Sequence, residues 1–354
     1  MRRHPVVRSA LSAAALTALV AVASPPAAAQ LADALARCHA LSDEAKRLAC
    51  YDDASGRSRP AAGTPVAPAA GAVAAAPATA AAAAPVRPSL IGAAWMLDPD
   101  TTDRDFDIAL YQPNYLLPIR YTDSPNNAPF SPIAAAAGTP DQKLDDIEAK
   151  FQISFKARLW NTLDRRWAVW AAYTQQNQWQ VYNGDISRPF RETNYQPELM
   201  LAYNPELEFG GFRWRLATLS LNHQSNGRAD PLSRSWNRLI GGAAVEKGNL
   251  VLQARAWYRF SESEDKDDNP DITDYMGYGD LTALYRWRGH TLKAMGRGNL
   301  GKGKGAGEFT WSSPPILGPL RLYAQVFTGY GESMIDYNWN QTTVGAGITL
   351  NDLF

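Results

Sequence analysis

Neither sign of charge is in excess: 35 Lys and Arg stand against 35 Asp and Glu. That balance argues against nucleic acid as the main partner, because phosphate binding needs a basic excess or patch. Cysteine is scarce, with only Cys38 and Cys50 in the chain. After the first thirty residues no run of roughly 18 strongly apolar residues occurs, which excludes a membrane-spanning helix there. Neither a His-Glu-x-x-His motif nor an EF-hand loop is found, so no metal motif announces itself.

The first thirty residues resemble a secretory signal. Arg2, Arg3 and Arg8 form a positive start, "ALSAAALTALVAVA" a short apolar core, and Ala27-Ala28-Ala29 a cleavage site before Gln30. A signal peptide over residues 1–29 is therefore expected, with export as its consequence. Residues 30–57 read as a small helical hairpin. In an exported protein a close Cys pair points to a disulfide; a metal site is the alternative, although two Cys and His39 are few ligands for zinc. Residues 58–88 are almost all Ala and Pro. Pro60, Pro65, Pro68, Pro77 and Pro85 break any long helix, so a semi-extended linker is expected.

Beyond about residue 105 the pattern alternates with period two, the signature of strands. Phe151, Ile153, Phe155, Ala157 and Leu159 share one face, and Gln152, Ser154, Lys156 and Arg158 the other. Leu250, Leu252, Ala254, Ala256, Tyr258 and Phe260 repeat the pattern, as do Val344, Ala346, Ile348 and Leu350. About twelve such segments follow one another: 108–121, 148–160, 166–177, 193–204, 212–225, 235–246, 249–260, 273–287, 290–299, 304–312, 319–331 and 341–354. A soluble β-sandwich would also alternate. Three features favour a barrel that spans the outer membrane: export, segments near the ~10 residues needed to cross at a tilt, and a terminal Phe354 after an alternating strand. Eleven Trp and fifteen Tyr also suit a bilayer interface. The expected fold is all-β: a twelve-stranded antiparallel transmembrane barrel over residues 89–354. At this size the lumen is expected to be filled by polar side chains.

One stretch departs from the barrel pattern. In "LNHQSNGRADPLSRSWNRL", residues 221–239, the apolar face of Ala217, Leu219 and Leu221 continues into His223 and Ser225. The two reactive residues therefore point toward lipid, about 7 Å apart at Cα, so an imidazole can reach the hydroxyl. A serine becomes a nucleophile when a base takes its proton and a third group holds the base. Asn237, twelve residues after Ser225, suits that third role, with Asp230 competing and Asn226 behind it. Each residue alone has a plainer reading: a network histidine, a turn serine, a loop "NGR".

The stretch "NHQSNGRADPLSRSWNRL" resembles the active-site region of the outer membrane phospholipase A family. So do "SRPFRETNYQPELMLAY" at 187–203, "DDNPDITDYMGYG" at 267–279 and "YAQVFTGYGESMIDYNWNQTTVGAGITLNDLF" at 323–354. The likeness covers roughly residues 90–354, leaving out the Cys hairpin and the linker. It implies a calcium-dependent serine hydrolase that cleaves acyl esters of phospholipids and lysophospholipids, with A1, A2 and lysophospholipase activity. Ser225 matches the nucleophile, His223 the proton acceptor, Asn237 the group that orients it, and the Gly227 N–H the oxyanion donor. Calcium (Ca2+) would be held by the Arg228 carbonyl, the Ser233 hydroxyl and a partner chain's equivalent of Ser187. A second calcium position, outside the dimer, matches Asp268. Gln175 matches a polar residue in the dimer contact. The resemblance further implies an embedded protein that rests as a monomer and acts as a homodimer, restrained until lipid enters the outer leaflet. Here the residue between base and nucleophile is Gln224, and the loop "SESEDKDDNPD" is long and acidic. Against this stand a non-enzymatic barrel (channel, adhesin or scaffold) and a barrel protease. A protease would want acidic and His groups on the rim, a cluster the sequence does not show.

Overall fold

The structure, a computed structural model, describes residues 37–54, 89–97, 108–137 and 143–352. The expected signal peptide, the Ala/Pro linker and Phe354 lie outside the described residues. The chain divides into two units, residues 1–81 and 82–354. Among the described residues no helix is long and apolar enough to cross a membrane.

In the first unit a helical turn at residues 37–39 precedes helix α1, Glu44–Ala54. Asp43 starts α1: its carboxylate accepts the Lys46 N–H at 3.1 Å, meeting one of the amides a helix start leaves unpaired. Cys38 and Cys50 form a disulfide with a Cα–Cα distance of 5.4 Å. The disulfide reading therefore holds over the metal one.

The second unit is a barrel. Its strands are β1 (Ile108–Leu110), β2 (Tyr115–Thr122), β3 (Ile147–Asn161), β4 (Trp167–Trp179), β5 (Phe190–Tyr203), β6 (Leu207–Phe209), β7 (Phe212–Ser225), β8 (Ser235–Lys247), β9 (Leu250–Arg259), β10 (Gly279–Trp287), β11 (His290–Asn299), β12 (Lys304–Ser312), β13 (Arg321–Tyr330) and β14 (Asn340–Thr349). Neighbours pair antiparallel from β3 through β2 and β14 back down to β4, and β3 pairs with β4 to close the ring. Twelve long strands form the wall; β1 and β6 are short additions, on β3 and β7. Closure gives each of the twelve wall strands a neighbour on both sides, which a bilayer demands because it offers no water to an unpaired amide.

Alternation places apolar side chains outward and polar ones inward. On β3, Ile153 and Phe155 are exposed while Lys150, Ser154 and Lys156 are fully buried. The interior is crossed by ion pairs. Arg120 meets Glu148 at 2.7 Å and also Glu332, Lys150 meets Glu332 at 2.9 Å, and Arg191 meets Glu148 and Asp336, each at 2.9 Å. Glu332 and Asp336 belong to the loop between β13 and β14, which folds inward. The lumen is therefore plugged by polar networks, which leave cavities of about 170 and 180 Å³ lined by groups such as Gln152, Gln176 and Arg255.

The two ends differ. One carries tight turns, such as Lys247–Leu250 and Trp287–His290; the other carries long loops, the arrangement of short periplasmic turns and longer outer loops. Inside the short-turn end sits helix α2, Leu90–Trp95. Ser89 caps it by accepting the Gly92 N–H at 2.7 Å, and the Ile91 N–H donates to Glu246 at 3.1 Å. Trp95 packs edge-on to Trp170 and Tyr111, with Lys156 Nζ 3.3 Å from its ring centre.

Three readings of the strand list need correction. Segment 108–121 is interrupted over Tyr111–Asn114, around Pro113, which has no N–H for a ladder. Segment 273–287 begins not as strand but as helix α3, Ile272–Met276, and the strand starts only at Gly279. Ile272 and Met276, four residues apart, are buried together, a spacing that fits one face of a helix and one face of a strand alike. A side chain at Gly277 would strike the Gly298 carbonyl, which holds a glycine where helix becomes strand. The last strand ends at Thr349. A further helix, Ser131–Ala137, lies in the loop between β2 and β3.

Candidate active site

Strands β7 and β8 place His223 directly opposite Asn237 and Ser225 opposite Ser235. Opposed side chains on one face start about 5 Å apart at Cβ, within reach of a direct bond. The bond forms: His223 Nδ1 and Asn237 Oδ1 are 2.8 Å apart. An amide oxygen can only accept, so Nδ1 carries the proton and Nε2 is left with its lone pair free. His223 is exposed on the outer wall, in line with Leu219 and Leu221, and Ser225 is half-buried two residues on.

The residue between them faces the other way. Gln224 points inward, where its Oε1 accepts from Trp236 Nε1 at 2.9 Å and from Arg238 at 3.0 Å. Asn226 is also taken up by structure. Its Oδ1 accepts the Arg234 N–H at 2.9 Å and its Nδ2 donates to the Leu232 carbonyl at 2.8 Å, which ties the connecting loop to itself. Asp230 is exposed in that loop, at the cis Asp230–Pro231 peptide. Of the three candidates for the third role, Asn237 is the one bonded to His223.

Gly227 follows with φ of +64°. A β-carbon there would come within 2.9 Å of the Tyr195 ring, so both backbone and neighbour require glycine. Tyr195 is paired with Ser225 from the β5 side, so the serine and the glycine share one neighbour. Beside His223 an open groove of about 690 Å³ runs down the outer wall, lined by Ala171, Pro197, Leu199, Leu221 and Phe260.

Glu262 was not singled out from the sequence. Asn237 Nδ2 donates to its carboxylate at 2.9 Å. The signal lay in the register. The Phe260 N–H bonds to the Asn237 carbonyl at 2.9 Å, extending β9 beyond Arg259, and period two carries residue 262 to the same outer face.

Oxygen donors gather beyond the strand ends. The Ser233 hydroxyl donates to the Asp268 carboxylate, so the structure joins two residues that the sequence resemblance assigned to separate positions. The loop carrying Asp268 is fastened on both sides. Asn269 Oδ1 accepts the Ser235 N–H at 2.9 Å, and Asp267 pairs with Arg259 at 2.5 Å. Tyr337 donates to Asp271 at 2.7 Å; burial, then that bond, hold its phenol well above the ordinary range. Arg228 sends its guanidinium away, to the carbonyls of Phe190 at 3.2 Å and Arg191 at 2.6 Å. The Arg234 guanidinium stands beside this pair, donating to the Ser233 carbonyl at 2.5 Å; the hydroxyl and the carboxylate are nonetheless oxygen donors of the kind a hard divalent ion takes. Among the described residues no group of three His, Cys, Asp or Glu side chains is placed to hold a metal. Ser187 stands on another loop, exposed, with φ of +65°, and no hydrogen bond among the described residues joins it to Ser233. Gln175 lies on the outer face of β4, bonded to Tyr173 at 2.9 Å and Asn177 at 3.0 Å.

The fold and this cluster define a class: an outer-membrane barrel with a hydrogen-bonded His–Asn pair and a serine on its lipid-facing wall. The phospholipase A1 family profile matches residues 91–350. Phospholipase A1 of Escherichia coli (strain K12) is 42% identical over 253 residues, 71% of this chain and 84% of that protein. A structure of the outer membrane phospholipase A of Salmonella typhi, a dimer with bound calcium, superposes with a TM-score of 0.67 at 40% identity. It covers 76% of this chain and all of that one. An Escherichia coli structure, described as an active-site mutant with alanine for asparagine, gives a TM-score of 0.67 at 39% identity, covering 75% of this chain and 100% of that one. This chain belongs to the phospholipase A1 family.

Proposed function

We propose that the chain hydrolyses the acyl ester bonds of phospholipids and lysophospholipids, with A1, A2 and lysophospholipase activity, through Ser225, His223 and Asn237. One observation carries the reading: the 2.8 Å bond from His223 Nδ1 to Asn237 Oδ1, on the wall that faces lipid, two residues from a serine. With Nδ1–H held by Asn237, Nε2 takes the Ser225 proton as Oγ attacks the ester carbonyl carbon. The carbonyl π electrons move to oxygen, and the Gly227 N–H donates to that oxyanion. Collapse expels the lysolipid alcohol, which receives its proton from His223. Water then repeats the sequence on the acyl-serine and releases the fatty acid. The apolar groove beside His223 suits an acyl chain. A neutral asparagine orients the imidazole without burying a charge against hydrocarbon; the Escherichia coli active-site mutant, in which an asparagine is replaced, supports that role.

Calcium would be held by the Ser233 hydroxyl, the Arg228 carbonyl and, from a second copy, the residue equivalent to Ser187; Asp268, bonded to Ser233, adds a carboxylate. When bound it would supply positive charge near the developing oxyanion. The calcium-bound dimer of Salmonella typhi supports both cofactor and assembly. Gln175, a polar residue on the outer wall, belongs to the dimer contact, and the resting state is the monomer. In this reading residues 1–29 are a cleaved signal, 30–57 a periplasmic hairpin, 58–88 a linker and 89–354 the enzyme. The test is fatty-acid release from mixed micelles by purified protein, with and without a chelator. Ser225→Ala should remove release while the barrel still shows heat-modifiable migration; near-normal turnover by that variant would end the serine-hydrolase reading.

A further inference from the structure

Asn237 is itself held, and its holder is a carboxylate. An asparagine has one amide face that accepts and one that donates. Only the accepting face, toward His223, leaves Nε2 free as a base. If the amide turned by half a revolution, Nδ2 would face Nδ1, the proton would move to Nε2, and the ring could no longer take the serine proton. Nothing in the His223–Asn237 pair alone forbids that turn, because the ring has a tautomer to suit either face.

Glu262 removes the ambiguity. Its Oε1 accepts from Asn237 Nδ2 at 2.9 Å. In the turned arrangement Oδ1 would face the carboxylate, two acceptors with no hydrogen between them. The carboxylate also draws on the amide N–H, which strengthens Oδ1 as an acceptor for the imidazolium that forms during the reaction. Glu262 is placed to do this by chain geometry. It follows β9 by three residues, on the outer face shared by Tyr258 and Phe260, beside the Asn237 that pairs with Phe260. It is half-buried.

We infer that Glu262 is a positioning residue that locks the Asn237 amide, and through it the catalytic tautomer of His223. This inference rests on the Ser225–His223–Asn237 reading above. It makes the relay one of four residues, ending in a formal negative charge one bond removed from the ring. A neutral third member then acts with the support of a charge that stays in the polar loop region rather than against lipid.

The experiment is steady-state phospholipid hydrolysis in detergent at saturating calcium, with folding of each variant checked by heat-modifiable migration. Glu262→Ala should lower kcat by about tenfold and leave KM within about twofold, the usual scale for a group that orients another. Glu262→Gln can still accept from Nδ2 but can also turn to donate to Oδ1, so it should recover only part of that loss. In an Asn237→Asp background the sign should reverse. There two carboxylates face each other, so Glu262→Ala or Glu262→Gln should raise kcat, by about threefold or more. Wild-type kcat in Glu262→Ala would overturn the inference, as would a change in KM alone, or a fall in kcat in both backgrounds. Should Glu262→Ala fail to assemble, the two Gln variants make the same comparison. Ser225→Ala run alongside keeps the failures apart: activity in that variant sinks the relay itself, whereas an inactive Ser225→Ala with an unaffected Glu262→Ala sinks only the role of Glu262.

Discussion

The inner and outer faces of β7 use the same kinds of side chain to different ends. Inward, Ser220 and Asn222 are almost fully buried, and Asn222 accepts from Arg238 at 2.7 Å. Such groups exist to satisfy one another, since an unpaired polar atom away from water costs about 1–3 kcal/mol. Outward, Leu219 and Leu221 face the bilayer and then His223 and Ser225 break the apolar run. There the polar groups form a short line, from His223 through Asn237 to Glu262, rather than a web. Polar residues inside a barrel need no special explanation, because they fill a lumen. Polar residues on its lipid face do, because they give up stability in the membrane for something else.

The largest effects belong to the outer face. His223→Ala should reduce kcat by on the order of 10⁶, the scale for losing a member that moves the proton in a serine hydrolase. Asn237→Ala should do at least roughly tenfold less damage, since it orients the ring without carrying the proton. Single-turnover hydrolysis of a chromogenic acyl ester reads both, and neither change should alter barrel migration. Asp230→Asn proving worse than Asn237→Ala would mean that the wrong third member is named.

The inner face should behave in the opposite way. Glu332 accepts from Arg120 and Lys150 together, and side-chain bonds from Gln341 and Thr343 complete it. Glu332→Ala leaves two buried cations short of a partner, which should cost about 3–5 kcal/mol of stability. Thermal unfolding followed by gel migration measures the loss. Activity per folded molecule should stay near wild type, and a matching fall in kcat would join the two faces into one system.

A smaller effect belongs to assembly. If calcium is shared between two chains, binding and dimerisation strengthen each other. Ser187→Ala should lower apparent calcium affinity, and Gln175→Ala should weaken the dimer by roughly 1–2 kcal/mol. Sedimentation in detergent across a calcium titration, with activity in parallel, tests both; full activity from a strict monomer would remove the shared site. The smallest effect should come from deleting residues 30–86, which should leave a folding, active barrel because α2 and every strand lie beyond the cut. Failure of the truncated chain to assemble would make the hairpin part of the fold.

Much of this was legible because a barrel wall repeats. Period two and turn residues mark the strands, and following the face of Leu219 and Leu221 leads to His223 and Ser225 without any structure. What the sequence hides depends on register between strands. Asn237 stands opposite His223 only because the loop 226–234 has its particular length and fold, so Asp230 and Asn226 stayed open until the pairing was seen. Glu262 is one step further off, requiring both the β7–β8 and the β8–β9 registers. The sequence shows an acidic loop there and gives no reason to prefer one of its carboxylates. Helix α3 was hidden for another reason: five residues are too few to separate a helical period from an alternating one, and the strand that follows lends them its pattern. Helix α2 is nearly as short, and in the sequence its six residues follow a linker whose composition masks them.

The proposed nucleophile, Ser225 on the outer face, owes its reactivity to His223. Intact-protein and peptide mass spectrometry after brief exposure to a long-chain alkyl fluorophosphonate tests it most directly. One adduct per chain should form, on Ser225, quickly in the native protein and not at all in His223→Ala. Labelling of another serine, or equal labelling of Ser225 with and without His223, would contradict it.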